Sequence, residues 1–153
     1  MEQFINDYLD RLQDLHQQMI AVLDALPDTA VNWQPPVKDI NSIAVLVTHA
    51  MGAERFWVGD VALGDSSNRV RSDEFINAPK TCAELKAIIQ TTEEYIQGAL
   101  PQIALTDFPT LKSTPNHSRD FTIGWSLLHA MEHTAVHVGH IQIMQQLWEK
   151  HQP

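Results

Sequence analysis

Leu128-His129-Ala130-Met131-Glu132-His133-Thr134-Ala135-Val136-His137-Val138-Gly139-His140-Ile141 places four histidines within one short stretch. At about 100° per residue, a helix gathers these four imidazoles into an arc of roughly 80° on one face. That face also holds Met144 and lies beside Trp125, so the rings point toward apolar neighbours and do not simply decorate a solvated surface. Neutral imidazoles four residues apart stand close enough to grip one ion, which is why the spacing recurs in helical zinc sites. Spacing alone leaves the pairs His129/His133, His133/His137 and His137/His140 all open.

Working outward, Trp125, Leu128, Met131, Val136, Ile141, Met144 and Leu147 make residues from about 122 to 150 periodic and predict the last and longest helix. Phe4, Ile5, Tyr8, Leu9, Leu12, Leu15, Met19, Leu23 and Leu26 predict a first helix over 2–26. It stops at Pro27-Asp28, and the stretch to Ile40, with Pro35-Pro36, reads as irregular because proline removes donors and restricts its predecessor. A second helix over roughly 42–62, capped by Asn41 or Ser42, carries Ile43, Leu46, Ala50, Ala53 and Trp57 on one face. Thr81-Cys82-Ala83-Glu84 has the form of a capping box and opens a third helix that runs to Pro101. Residues 65–80 and 102–120, the latter with Pro109, Pro115 and Asn116, read as long loops without a hairpin signal. The expectation is an all-α four-helix bundle with long loops between its helices, formed as a single domain over 1–153.

His49 lies between Leu46 and Ala53 on the apolar side of the second helix, where an unpartnered ring carries a desolvation cost. A metal shared with the histidine-rich helix would satisfy it with three protein ligands, leaving a coordination position for water or substrate. The single cysteine, Cys82, excludes an internal disulfide and any cysteine-rich zinc cage, so a metal site must use His, Asp or Glu. At the start of the third helix Cys82 could be an activated thiol, but no basic partner is near in sequence and a small filler is the better reading. His129-Ala130-Met131-Glu132-His133 also spells the inverted zinc-peptidase signature. Glu132 would there serve as general base, yet it faces away from His133 by about 100° and no downstream glutamate ligand is evident.

Composition excludes other classes. Of 153 residues, 44% are hydrophobic and 19% charged, which is ordinary globular chemistry. The net charge is -9 and the ten Lys and Arg residues are scattered, so no phosphate-binding stripe exists and nucleic acid is not an expected partner. No polybasic run or stretch of about 18 apolar residues suggests a membrane, and the N-terminal residues lack a signal-peptide pattern, so a cytoplasmic location is expected.

Ser42-Ile43-Ala44-Val45-Leu46-Val47-Thr48-His49, followed by Ala53-Glu54-Arg55-Phe56-Trp57, resembles the second helix of the DinB/YfiT-like superfamily. The 128–141 stretch resembles its H-x3-H-x-G-Q-I fourth helix, and the likeness spans nearly the whole chain, including Asn32-Trp33-Gln34-Pro35. The resemblance implies a divalent metal held by His49, His133 and His137. His129 and His140, with Trp57 and Trp125, are then expected to support the ligands or line the pocket. Val138 stands where that family often has arginine and His140 where it often has glutamine, so contacts made by those side chains do not carry over. Zinc is the first choice, with nickel, manganese and iron also accepting nitrogen ligands. The implied function is a divalent-metal-dependent enzyme acting on a small molecule, a thiol S-transferase using a low-molecular-weight thiol or a hydrolase. The alternative is a non-catalytic metal-binding or stress-related bundle. A homodimer is expected from the resemblance alone.

Overall fold

A computed structural model describes residues 2–114 and 117–151. Helix α1, Glu2–Ala25, buries Ile5, Tyr8, Leu12, Leu15, Met19, Val22 and Leu23 at three- and four-residue steps, so one stripe faces inward along its whole length. Pro27 ends this run, but the following segment is less irregular than the prolines suggest: Asp28–Val31 makes one helical turn, α2, which buries Ala30 and Val31. Proline at the position before the turn takes nothing from it, because the first turn of a helix has no use for that N–H. The Asp28 carboxylate then accepts from the Cys82 backbone N–H at 2.8 Å, tying this connection to the start of the third long helix.

Helix α3, Ile43–Arg55, starts where the Ser42 hydroxyl accepts from Val45 N–H. The expected second helix continues to Leu63, but its last part, Phe56–Leu63, is π-helical. Gly64 ends it with φ 77, a left-handed conformation that glycine adopts without strain. The loop that follows holds a further turn, α4, Asp73–Ile76. The Thr81/Glu84 capping box forms as expected and opens α5, Cys82–Ala99, which tightens into a 3-10 turn over Leu100–Gln102. Such a box is worth about 1 kcal/mol.

Two short strands, β1 Leu111–Lys112 and β2 Phe121–Thr122, pair antiparallel in the loop read as strandless, two residues being too few for an alternating pattern to show. Pro115 and Asn116, expected in this loop, lie outside the described residues. Helix α6 spans Ile123–His151.

Helix α3 packs on α5 and α6, and α1 packs on α5 and α6, giving the four-helix bundle. The face that α6 turns inward differs from the expected one: Ser126, Leu127, Ala130, Thr134, Val138, Ile141 and Met144 are buried. Leu128, Val136 and Leu147 are exposed instead. Apolar residues lie on several sides of this helix, and packing against α1 and α3 decides which of them turn inward. Among the described residues no helix is long and apolar enough to cross a membrane.

Candidate metal centre

His49 projects from α3, and His133 and His137 from successive turns of α6. Their ring centroids form a triangle with sides of 5.0, 5.2 and 4.4 Å. One ring nitrogen from each lies within 4.8 Å of the others. The sequence left three pairs open on α6, and the fold brings His133 and His137 to His49. His129 lies one turn back, with its centroid 5.8 Å from that of His133, and His140 lies on the other side, 5.5 Å from His137 and exposed.

Each ring is oriented from behind or left open. His49 Nδ1 sits 2.7 Å from Glu74 Oε2, which assigns the proton to Nδ1 and leaves Nε2 with its lone pair. Arg69 in turn donates to both Glu74 oxygens, through Nε to Oε1 and through Nη2 to Oε2 at 2.9 Å. Burial alone would raise the Glu74 carboxyl, but the hydrogen bonds from His49 and Arg69 and the Arg69 charge outweigh it and hold it below the ordinary carboxylate range. The Glu74 carboxylate reaches His49 over a bare backbone: a Cβ at Gly52 would run into its oxygen.

His133 Nδ1 and His137 Nδ1 are buried without a hydrogen-bond partner. Leaving such atoms unpaired costs roughly 1–3 kcal/mol each. Burial, then the neighbouring imidazoles, pushes His133 down to about 3, and burial followed by His49 and His140 pushes His137 down to about 4. Both rings are therefore neutral near pH 7 and offer lone pairs. The donor set fits a divalent cation: nitrogen ligands only, neutral, convergent, with a carboxylate fixing one ligand from outside.

An aromatic wall adjoins the triangle. His129 stacks on Trp125 at 4.7 Å and meets the edge of Trp57 at 4.9 Å, and Trp57 also contacts Trp125. His117, from the loop before β2, closes this wall against Trp57 at 5.2 Å. Two other expectations come out clearly. The Glu132 side chain is 76% exposed, so the peptidase reading has no base at the site. Cys82 is buried, its Sγ donates to the Leu26 carbonyl, and burial followed by Asp28 pushes its thiol up, which suits a filler and not a nucleophile.

Behind the triangle lies a polar knot that the sequence reading passed over. Glu54, fully buried, is 3.1 Å from His16 Nε2 and accepts from the Thr134 hydroxyl at 2.9 Å, while His16 Nδ1 faces Glu93 at 3.3 Å. Burial alone would lower the His16 ring, but the hydrogen bond and charge of Glu54, then those of Glu93, outweigh it and raise it. The knot joins α1, α3, α5 and α6, and Thr134 is the direct neighbour of His133. His16 and Glu54 gave one usable signal, a titratable residue at a core-phase position of an amphipathic helix. Arg69 and Glu74 gave none, being separated from His49 by a loop.

The Mycothiol-S-transferase family model matches residues 7–149. A crystal structure of a conserved protein from Enterococcus faecalis is similar in fold, with a TM-score of 0.74 and 13% sequence identity. The match covers 95% of this chain and 96% of that one. No curated protein matches the chain.

Proposed function

From the chain's membership of the mycothiol-S-transferase family, a branch of the DinB/YfiT-like superfamily, we propose a divalent-metal-dependent thiol S-transferase whose ion is held by His49, His133 and His137. The observation that carries this reading is the convergence of three imidazole nitrogens, two of the rings having a buried nitrogen without a partner. A divalent ion held there would supply Lewis acidity, which lowers the pKa of a bound thiol or water.

The chain's own residues do the rest. Glu74 keeps the proton on His49 Nδ1 and so fixes the tautomer that presents Nε2. Arg69 holds Glu74 in that pose and balances its charge. S-transfer joins a thiol sulfur to an electrophilic carbon, with loss of the S–H proton and of the leaving group. His129 and His140 flank the ligand pair along α6, and an imidazole there is our candidate acceptor for that proton. Trp57 and Trp125 pack against His129 and keep water from that side of the histidines.

Zinc is the ion we favour, since three imidazoles with an open position suit it, ahead of nickel, manganese and iron. Mycothiol, carried in the family's description, is the first thiol to test. The exposed apolar side chains Leu128, Val136, Ile143 and Leu147 along α6 support a homodimer, which sedimentation measures. The mutual packing of the four long helices supports one domain over the chain, and the free Cys82 thiol fits the reducing cytoplasm.

The test is elemental analysis of protein purified without nickel affinity, followed by turnover with mycothiol and simpler thiols against a panel of electrophiles. One ion per chain, lost in His49→Ala and His133→Ala, together with metal-dependent thioether formation, is the expected result. Metal-loaded protein that turns over no thiol but cleaves esters would make it a hydrolase. One that does neither would make it a metal-binding bundle.

A further inference from the structure

Beside the histidine triangle, Ser66, Asn68, Arg69, Arg71, Thr114 and His117 line much of a cavity of about 600 Å³, large enough for a small molecule. Its wall mixes apolar surface, including Phe56 and Val61, with the two guanidinium groups of Arg69 and Arg71. Among the described residues that line it, the one carboxylate, Asp60, is already engaged, accepting from Ser67 N–H at 3.0 Å, from the Ser67 hydroxyl at 2.9 Å and from Arg55 at 3.2 Å. Arg69 is engaged as well, by Glu74.

Among the described residues of this wall, Arg71 lacks a counter-ion and the Thr114 hydroxyl lacks a hydrogen bond. Arg71 makes no ion pair among the described residues, although the chain has 19 acidic residues to 10 Lys and Arg. Its guanidinium lies 5.1 Å from the Phe75 ring centroid, an arrangement that leaves its N–H edge available. Thr114 is 7% exposed and its hydroxyl, buried, has no hydrogen-bond partner. A buried hydroxyl on a cavity wall without a partner points to a ligand that completes it.

We propose that this cavity binds the carboxylate end of a small-molecule substrate, held by the Arg71 guanidinium and the Thr114 hydroxyl. One free guanidinium and one hydroxyl match a singly charged planar group, which arginine grips through two parallel N–H donors. Asp60 in the same wall disfavours a phosphate dianion. Arg69 connects the two places, lining the cavity while its Nη2 lies 3.4 Å from His49 Nδ1. A molecule anchored here therefore reaches toward the histidines past a single side chain. That the carboxylate belongs to a substrate of S-transfer rests on the function proposed above, whereas the anion site stands on the cavity itself.

Calorimetric titration of the full chain with succinate, and with succinamide as the neutral control, tests the site directly. Succinate is expected to bind and succinamide not. Arg71→Gln is expected to weaken succinate by about tenfold, Arg71→Lys by less, and Thr114→Val by several-fold. His133→Ala is expected to leave succinate binding in place, so a protein that binds succinate but turns over no thiol loses the transferase reading and keeps this site. Equal binding of both probes, no binding of succinate, or an Arg71→Gln affinity unchanged from the parent overturns it. In turnover, mercaptosuccinate compared with 2-mercaptoethanol, and a carboxylated compared with a neutral electrophile, show which substrate brings the carboxylate. The Arg71→Gln rise in KM is confined to that one, and a rise shared equally by charged and neutral partners refutes the proposal.

Discussion

Replacing Glu74 by glutamine keeps the shape of the side chain and removes the charge that orients His49. The Glu74 and His49 side chains are 8% and 12% exposed, so solvent screens their 2.7 Å contact very little. A hydrogen bond to a charged group contributes about 1.5–3 kcal/mol net, and removing the partner of a ligating imidazole typically weakens metal affinity by roughly 10- to 100-fold. The amide also leaves Arg69 without its counter-ion beside His49, which adds in the same direction. Glu74→Gln should therefore bind zinc about 10- to 100-fold more weakly while still reaching one ion per chain at saturation. Competition against a chromophoric chelator at fixed pH measures this, with exposed Glu132→Gln as a control that should not change. An unaltered dissociation constant for Glu74→Gln would refute the view that a carboxylate behind His49 tunes the site.

Gly52→Ala should act on the same carboxylate, since the new methyl displaces Glu74, and its zinc affinity should fall while helical circular dichroism stays near the parent's. In the metal-free protein the depressed His133 and His137, at about 3 and about 4, bind fewer protons than the unfolded chain between those values and about 6.5. Their contribution to stability is present above about pH 6.5 and is lost as pH falls toward about 3, so the parent's urea midpoint should fall relative to that of His133→Leu/His137→Leu on acidification, and a pH-independent difference would contradict this. Glu54→Ala leaves His16 buried without its main partner and should lower unfolding free energy by about 3–5 kcal/mol, read from denaturant midpoints.

The helices were legible because their buried residues recur at helical intervals, and the Thr81/Glu84 box and Ser42 cap mark two of their starts. His49 and the four histidines of α6 were legible as candidate ligands because histidine at core phase is conspicuous, while the choice of His133 and His137 came from the family resemblance. The face of α6 was harder: Leu128 and Val136 fit a helical stripe as well as Leu127 and Val138 do, and only packing decides between them. The π-helical stretch Phe56–Leu63 leaves no mark, since its wider turns follow from how its side chains are accommodated and not from their order. Glu74 and Arg69 could not be assigned to His49, because the loop that carries them returns to α3 through contacts with no periodicity. The two-residue strands gave no alternation to read.

The buried meeting of His16, Glu54, Glu93 and Thr134 draws one side chain from each long helix to a single point. Helices that pair through oily surfaces alone can slide or trade places at small expense, because one aliphatic contact replaces another. Here a shift of one turn would strand the Glu54 carboxylate in hydrocarbon, so misassembled arrangements are penalised far more than the correct one is rewarded. The alignment that sets His49 opposite His133 is thus the one register in which this buried contact is satisfied.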